Sequence, residues 1–96
     1  MQICLVIGST ISTIKDEKIH GRKLLIVREA DETGKALGKP YVAVDTVDAG
    51  AGDLVLVARG SSARQTNITK DTPVDSVIMA VIDSLEVSGK VTFRKS

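Results

Sequence analysis

Apolar residues recur at every second position along much of this chain, the period of strands with one buried face. In "MQICLVIGSTIST", Ile3, Leu5, Ile7 and Ile11 share a face, so residues 2–14 read as a strand, bent at Gly8. The mixed-charge stretch "KDEKIHGRK" follows as a polar loop that ends around Gly21. Residues 24–30 form a second strand. Its "LLIV" is apolar on both faces, which predicts burial from both sides. "DETGKALGKP" is rich in turn residues and reads as a hairpin connection. "YVAVDTV" is a third strand and "LVLVA" a fourth. "IDSLEV" and "KVTFRK" make a final pair, joined by Ser88-Gly89 as a two-residue hairpin turn.

Two segments break this pattern. "SARQ", serine followed three residues on by glutamine, fits a capping box and predicts a short helix over 62–68. "TPVDSVIMAVIDSL" is open between two readings: its apolar residues follow helical spacing, yet it is rich in β-branched side chains. Five to six short strands with one short helix predict an all-β fold, a small closed barrel of OB type. Closure removes the sheet edges that would otherwise template aggregation.

Composition narrows the class. The 96 residues make one domain, 1–96. Folding to a compact shape buries about 64% of the open chain's surface, a modest core that gains from an oligomer interface. Val, Ile and Thr supply 29 of the residues, in keeping with strands. A mean hydropathy of +0.12 beside 26% charged residues hints at a buried subunit contact. The net charge of +1 gives no long-range pull toward nucleic acid or an anionic membrane, so neither is expected as a partner. The longest apolar run, residues 77–82, is too short to span a bilayer, and the N-terminus reads as a strand rather than a signal peptide. Cys4, the lone cysteine, lies among apolar residues and is expected to be a buried, inert thiol. Together these features point to a reducing, cytoplasmic location.

The stretch "DAGAGDLVLVARGSSARQ" has the look of a phosphate loop, but the chemistry fails. No Gly-Lys-Ser/Thr occurs, so there is no Walker loop. Gly50 and Gly52 lead to Val55 at the third glycine position, inside a strand, where a dinucleotide fingerprint needs a helix N-terminus. One Cys and one His cannot build a zinc site, His20 reads as a solvated surface histidine, and no serine carries a nucleophile-elbow motif. No cofactor, metal or catalytic residue is expected. Asp45, Asp48 and Asp53 flank a turn, where carboxylates solvate the loop and cap backbone amides. Arg64, in the first turn of the expected helix, opposes the helix dipole. It is either solvated or held by a carboxylate or carbonyl partner, one on another subunit included.

The chain resembles, nearly end to end, the pentameric vertex proteins of bacterial microcompartment shells, of the carboxysome and ethanolamine- or propanediol-utilisation type. The matching pieces are "MQICLVIGSTIST", "GRKLLIV", "VAVDTVDAGAG", "LVLVARGSSARQ", "PVDSVIMAVID" and "GKVTFRK". The most specific is "AGAG" followed by "GSSARQ" at this spacing. The resemblance implies an OB-like barrel, a homo-pentamer, and a non-enzymatic role closing a shell of hexameric tiles at its five-fold vertices. It also implies that "PVDS" is a turn and "VIMAVIDSLEV" a strand. One departure stands out: Asp48 occupies a position where the family pattern leads one to expect glycine. Aspartate tolerates the left-handed backbone better than most residues, so the turn can survive. On this reading Asp48, Ala49, Gly50, Ala51 and Gly52 lie near the five-fold axis. Gly60, Ser61, Ser62, Ala63 and Arg64 lie at or near a subunit interface, Arg64 pairing in trans. The rival reading is an OB-type binding module for single-stranded nucleic acid or a small ligand. It asks for aromatics and basic residues on one face, and the chain has only Tyr41 and Phe93 as aromatics and a balanced charge.

Overall fold

The computed structural model describes residues 1–10, 22–60 and 75–96. Among these residues seven strands follow one another: β1 (Gln2–Ser9), β2 (Leu24–Glu29), β3 (Tyr41–Asp45), β4 (Leu54–Arg59), β5 (Ser76–Val81), β6 (Ser84–Val87) and β7 (Lys90–Arg94). The first five close into a barrel in the order β1-β2-β3-β5-β4, with β6 and β7 as a separate two-stranded sheet. All barrel pairs are antiparallel except β3 with β5. This is the small closed barrel of OB type that the strand spacing predicts. No α-helix occurs among the described residues. The one expected over 62–68 lies outside them, as does His20.

Alternation decides which side chains enter the barrel. Cys4 and Val6 of β1, Leu25 and Val27 of β2, and Val55 and Val57 of β4 are buried in one cluster. The inner face of β1 is therefore the even-numbered one, not the face of Ile3, Leu5 and Ile7 that hydropathy singles out. Ile3 and Leu5 point out of the barrel and are covered by a second cluster around Leu54 and Ile82, to which Leu85 of β6 and Phe93 of β7 contribute. The C-terminal hairpin thus acts as a lid on the outer wall of β1 and β4. Ile7, beyond its reach, is exposed. The bend expected at Gly8 is a register shift between Val6 and Gly8. In β2 only the inner face is sealed: Leu25 and Val27 are buried, while Leu24 and Ile26 are partly exposed. The expected burial of "LLIV" from both sides is not met within one subunit.

The expected single strand "VIMAVIDSLEV" is two. β5 ends at Val81 and β6 starts at Ser84. The break has a packing cause. The Ile82 N–H donates to the Leu54 carbonyl (2.8 Å), and the Ile82 side chain turns into the outer cluster. The chain thereby leaves the barrel ladder and folds back over its wall. The turn that follows is the one the sequence marks: Ser88 (φ 52°) and Gly89 (φ 80°) both take positive φ, as a type I′ turn requires.

Cys4 is fully buried, with its Sγ 3.1 Å from the Tyr41 hydroxyl. Burial pushes the thiol pKa up, against the hydrogen bond with Tyr41 that lowers it. It is an inert packing group, as expected. The Tyr41 hydroxyl donates to Gln2 Oε1 (3.0 Å), and the Arg59 guanidinium stacks on the Tyr41 ring at 4.4 Å. These contacts fasten the last residue of β4 to the mouth of the barrel.

Candidate functional site

The turn after β3 is built by its own aspartates. Asp45 ends β3, with its Oδ1 accepting the Val47 N–H (3.0 Å), while the Thr46 hydroxyl donates to the Ile78 carbonyl of β5 (2.7 Å). Asp48 then takes φ 59°, the left-handed region. Aspartate is among the few side chains that enter this region at modest cost, so the turn holds without the glycine that the resemblance leads one to expect. Asp53 closes the turn. Its Oδ2 accepts the Gly50 N–H (2.9 Å) and its own N–H donates to the Gly50 carbonyl (3.0 Å). Two further backbone bonds, Gly52 N–H to the Val6 carbonyl and Val6 N–H to the Asp53 carbonyl, staple the turn to β1. Asp45 and Asp53 cap amides, as expected, but Asp45 does not solvate the loop. Its side chain is 1% exposed.

Lys23 is the member that sequence reading missed. It precedes β2, and its backbone carbonyl accepts the Asp45 N–H (2.9 Å), which brings it beside a turn more than twenty residues away in sequence. Its ammonium donates to Asp48 Oδ1 (2.9 Å) and to the Ala49 carbonyl (2.7 Å), and lies 3.3 Å from Asp45 Oδ2. Asp45 Oδ2 still accepts no well-aligned hydrogen bond. The ammonium neutralises it by proximity while pointing its protons at the other two oxygens. Lys23, Asp45 and Asp48, with Arg22, Thr46 and Val47, line an open cleft of 540 Å³.

The five turn residues do not act alike. Ala49 is 1% exposed and belongs to the barrel core, so it plugs the barrel end and presents no side chain outward. Asp48, Ala51 and Gly52 are exposed. Gly50 lacks a positive φ, and a β-carbon built on it meets nothing within 4 Å. Gly8 is in the same position, and the two share a smaller cleft of 190 Å³. Neither backbone strain nor packing inside the subunit asks for glycine at these two places. Of the second expected group, Gly60 is exposed at φ 65° and donates its N–H to the Asp75 carbonyl (2.8 Å). Ser61, Ser62, Ala63 and Arg64 lie outside the described residues.

The Lys23–Asp48 pair has a pH signature. The hydrogen bond from Lys23, with its charge, holds the Asp48 carboxyl below the usual range. The bond to Asp48, outweighing desolvation, raises Lys23 above its own. A depressed carboxylate stabilises the fold above about pH 4, and this is lost as pH falls through the folded value. A raised lysine stabilises below about pH 10, and this is lost as pH rises through the folded value. The melting temperature should therefore show a plateau with both an acid and an alkaline limb. In Lys23→Met the alkaline limb should shrink but persist, because burial also raises the Cys4 thiol and the Tyr41 hydroxyl, whose neutral forms the fold prefers. The acid limb should shrink without vanishing, because Asp31, held low first by the Thr33 hydroxyl and then by the Lys35 and Thr33 amides, still contributes. Melting curves across pH check this, and an unchanged alkaline limb would contradict it.

Comparison with known proteins adds what one subunit cannot. Residues 1–83 match the EutN/CcmL family, described as "Ethanolamine utilisation protein EutN/carboxysome". The carboxysome shell vertex protein CcmL of Nostoc sp. is 42% identical over 96 residues, covering 99% of this chain and 95% of that protein. The solved structure of Gloeobacter violaceus CcmL superposes with a TM-score of 0.88 at 38% identity, covering 99% of this chain and 98% of that one. The pentameric microcompartment shell protein GrpN from Rhodospirillum rubrum gives a TM-score of 0.78 at 39% identity, covering 91% of this chain and 99% of that one. Identity at this level along almost the whole of both chains is more than a shared barrel: the chain belongs to the EutN/CcmL family.

Proposed function

We propose that this chain is a vertex subunit of a bacterial microcompartment shell, five copies closing into a ring in the cytoplasm. The observation that carries the reading is the nearly full-length similarity to shell vertex proteins, a pentameric one among them. The physics is that of closure. Flat hexagonal tiles cannot enclose a volume without pentagonal corners. A heterologous interface whose rotation closes after five copies makes such a corner. The role is structural, with no reaction of its own. The partners are four further copies of this chain and the surrounding hexameric shell proteins.

Within the ring, the turn of Asp48, Ala49, Gly50, Ala51 and Gly52 faces the five-fold axis. What supports this is the bare backbone at Gly50 and Gly8. Glycine that the subunit itself does not need fits a surface that another backbone approaches closely. Gly60, Ser61, Ser62, Ala63 and Arg64 contribute to the contact between neighbours, Arg64 reaching a carboxylate or carbonyl of the next copy.

Solution mass is the first test. The chain should run at the mass of five 10.2 kDa subunits, and a stable monomer at high concentration would overturn the reading. Gly50→Leu then tests the turn. The space around Gly50 is open in one subunit, so the fold should survive while the pentamer is lost or weakened. A pentamer as stable as the parent's would remove the turn from the axis. Arg64→Ala should likewise lower the pentamer's thermal stability, and no change would rule out pairing in trans.

A further inference from the structure

The oxygens around Lys23 form a receptor for a cation. Asp45 Oδ2 is buried, on a side chain 1% exposed, accepts no aligned hydrogen bond, and faces the cleft. Asp48 Oδ1 and the Ala49 carbonyl converge on the same point, where the Lys23 ammonium sits 2.7–3.3 Å from all three. Two carboxylates held this close repel each other, and a buried one without a counter-charge is costly. The left-handed turn at Asp48 and the core plug at Ala49 therefore depend on a positive charge at one defined position.

We propose that Asp45, Asp48 and the Ala49 carbonyl constitute a hard-oxygen cation site whose resident cation is the Lys23 ammonium, and that a small free cation takes the place once the ammonium is removed. Two carboxylate oxygens and a carbonyl, with water completing the shell, are the donor set of a weak calcium site. The ammonium is covalently tethered, so in the parent chain it outcompetes free ions. Lys23 is thus a positioning residue, and the site belongs to the subunit and does not rest on the ring arrangement. Arg22 is the other cation lining the cleft, but it makes no ion pair with either carboxylate.

Lys23→Met tests this, since it keeps the apolar stem and removes the charge. Its melting temperature should fall by about 4–8 °C. Millimolar calcium chloride should restore at least half of that loss. Tetramethylammonium chloride at matched ionic strength, whose cation is too large to enter, should restore none. Calcium should leave the parent unmoved, and Lys23→Met/Asp45→Asn should not respond to it. Equal recovery in both salts would reduce the effect to screening and overturn the proposal. So would calcium recovery that persists without the Asp45 charge, or no loss in Lys23→Met at all. If Lys23→Met does not fold alone, its refolding yield in the two salts reads the same question, and equal yields reject the site.

Discussion

Leu54→Ala is expected to lower stability by about 3 kcal/mol, a large fraction of what a domain of this size has. The melting temperature should drop by roughly 12–24 °C. Leu54 is 1% exposed and stands where the barrel wall meets the hairpin, within reach of Ile82, Leu85 and Phe93. Its removal leaves a cavity between two elements rather than inside one. A two-stranded sheet is marginal by itself in water, so β6 and β7 depend on this contact. Hydrogen exchange should therefore speed up more at the hairpin amides than at the barrel amides, as sub-global opening detaches one unit before the other. Val57→Ala provides the contrast. Val57 is equally buried but faces the barrel interior, so its loss should lower the melting temperature without widening that gap. If the hairpin and barrel amides kept their relative rates in Leu54→Ala, the hairpin would not be docked through this residue.

The same cluster shows what hydropathy could and could not convey. Alternation located the strands of the barrel, and Ser88-Gly89 marked the last turn, because each is a local property. Period-two spacing also marks two faces without saying which is inner. In β1 both are apolar, and the face with the larger residues, Ile3 and Leu5, is the outer one. That face is partly covered by Leu54 together with Ile82 and the hairpin, which lie more than seventy residues downstream. The break after Val81 was illegible for a related reason. A run of β-branched residues carries no stop signal, and the stop comes from Ile82 being drawn to the Leu54 wall.

At the candidate site the local half was again the legible half. Aspartates spaced around glycines implied capped amides, and Asp45 and Asp53 provide them. The tolerance of Asp48 for a left-handed backbone followed from its residue type, and φ 59° agrees. Lys23 was not legible. Nothing in "GRKLLIV" sets one of its cations apart, and the pairing of β2 with β3 is what carries Lys23 to the Asp45 end of the sheet. The consequence bears on charge at the proposed axis. Five unpaired Asp48 carboxylates would make a strongly negative collar, whereas each one here carries its own Lys23. The charge that Asp48 brings to the turn is met, within the same subunit, by a counter-charge.

Gly34→Ala should cost more than Gly89→Ala, and the difference measures how firmly the hairpin is held. Both glycines have positive φ, +87° and +80°, so alanine meets a similar backbone penalty at each, about 1–2 kcal/mol. Gly34 lies in the β2–β3 connection, where its N–H donates to the Asp31 carbonyl and Asp31 Oδ1 accepts from the Thr33 and Lys35 amides. A β-carbon on Gly34 would come within 2.9 Å of Phe93 Cδ1, whereas one on Gly89 meets nothing within 4 Å. The clash can be relieved only if the Phe93 ring leaves the cluster it shares with Leu54 and Leu85, or if the turn moves against three hydrogen bonds to one carboxylate. Either adjustment should add about 1–3 kcal/mol, the usual range for overpacking. Urea melts of the two variants give the excess directly. Phe93→Leu in the Gly34→Ala background should recover part of it, since the smaller side chain leaves room, and a double-mutant cycle reads that coupling. Equal costs at the two glycines, with no coupling to Phe93, would mean that the ring yields freely. The turn and the hairpin would then be neighbours without being fastened to each other, and the outer cluster would rest on Ala30, Leu54 and Ile82.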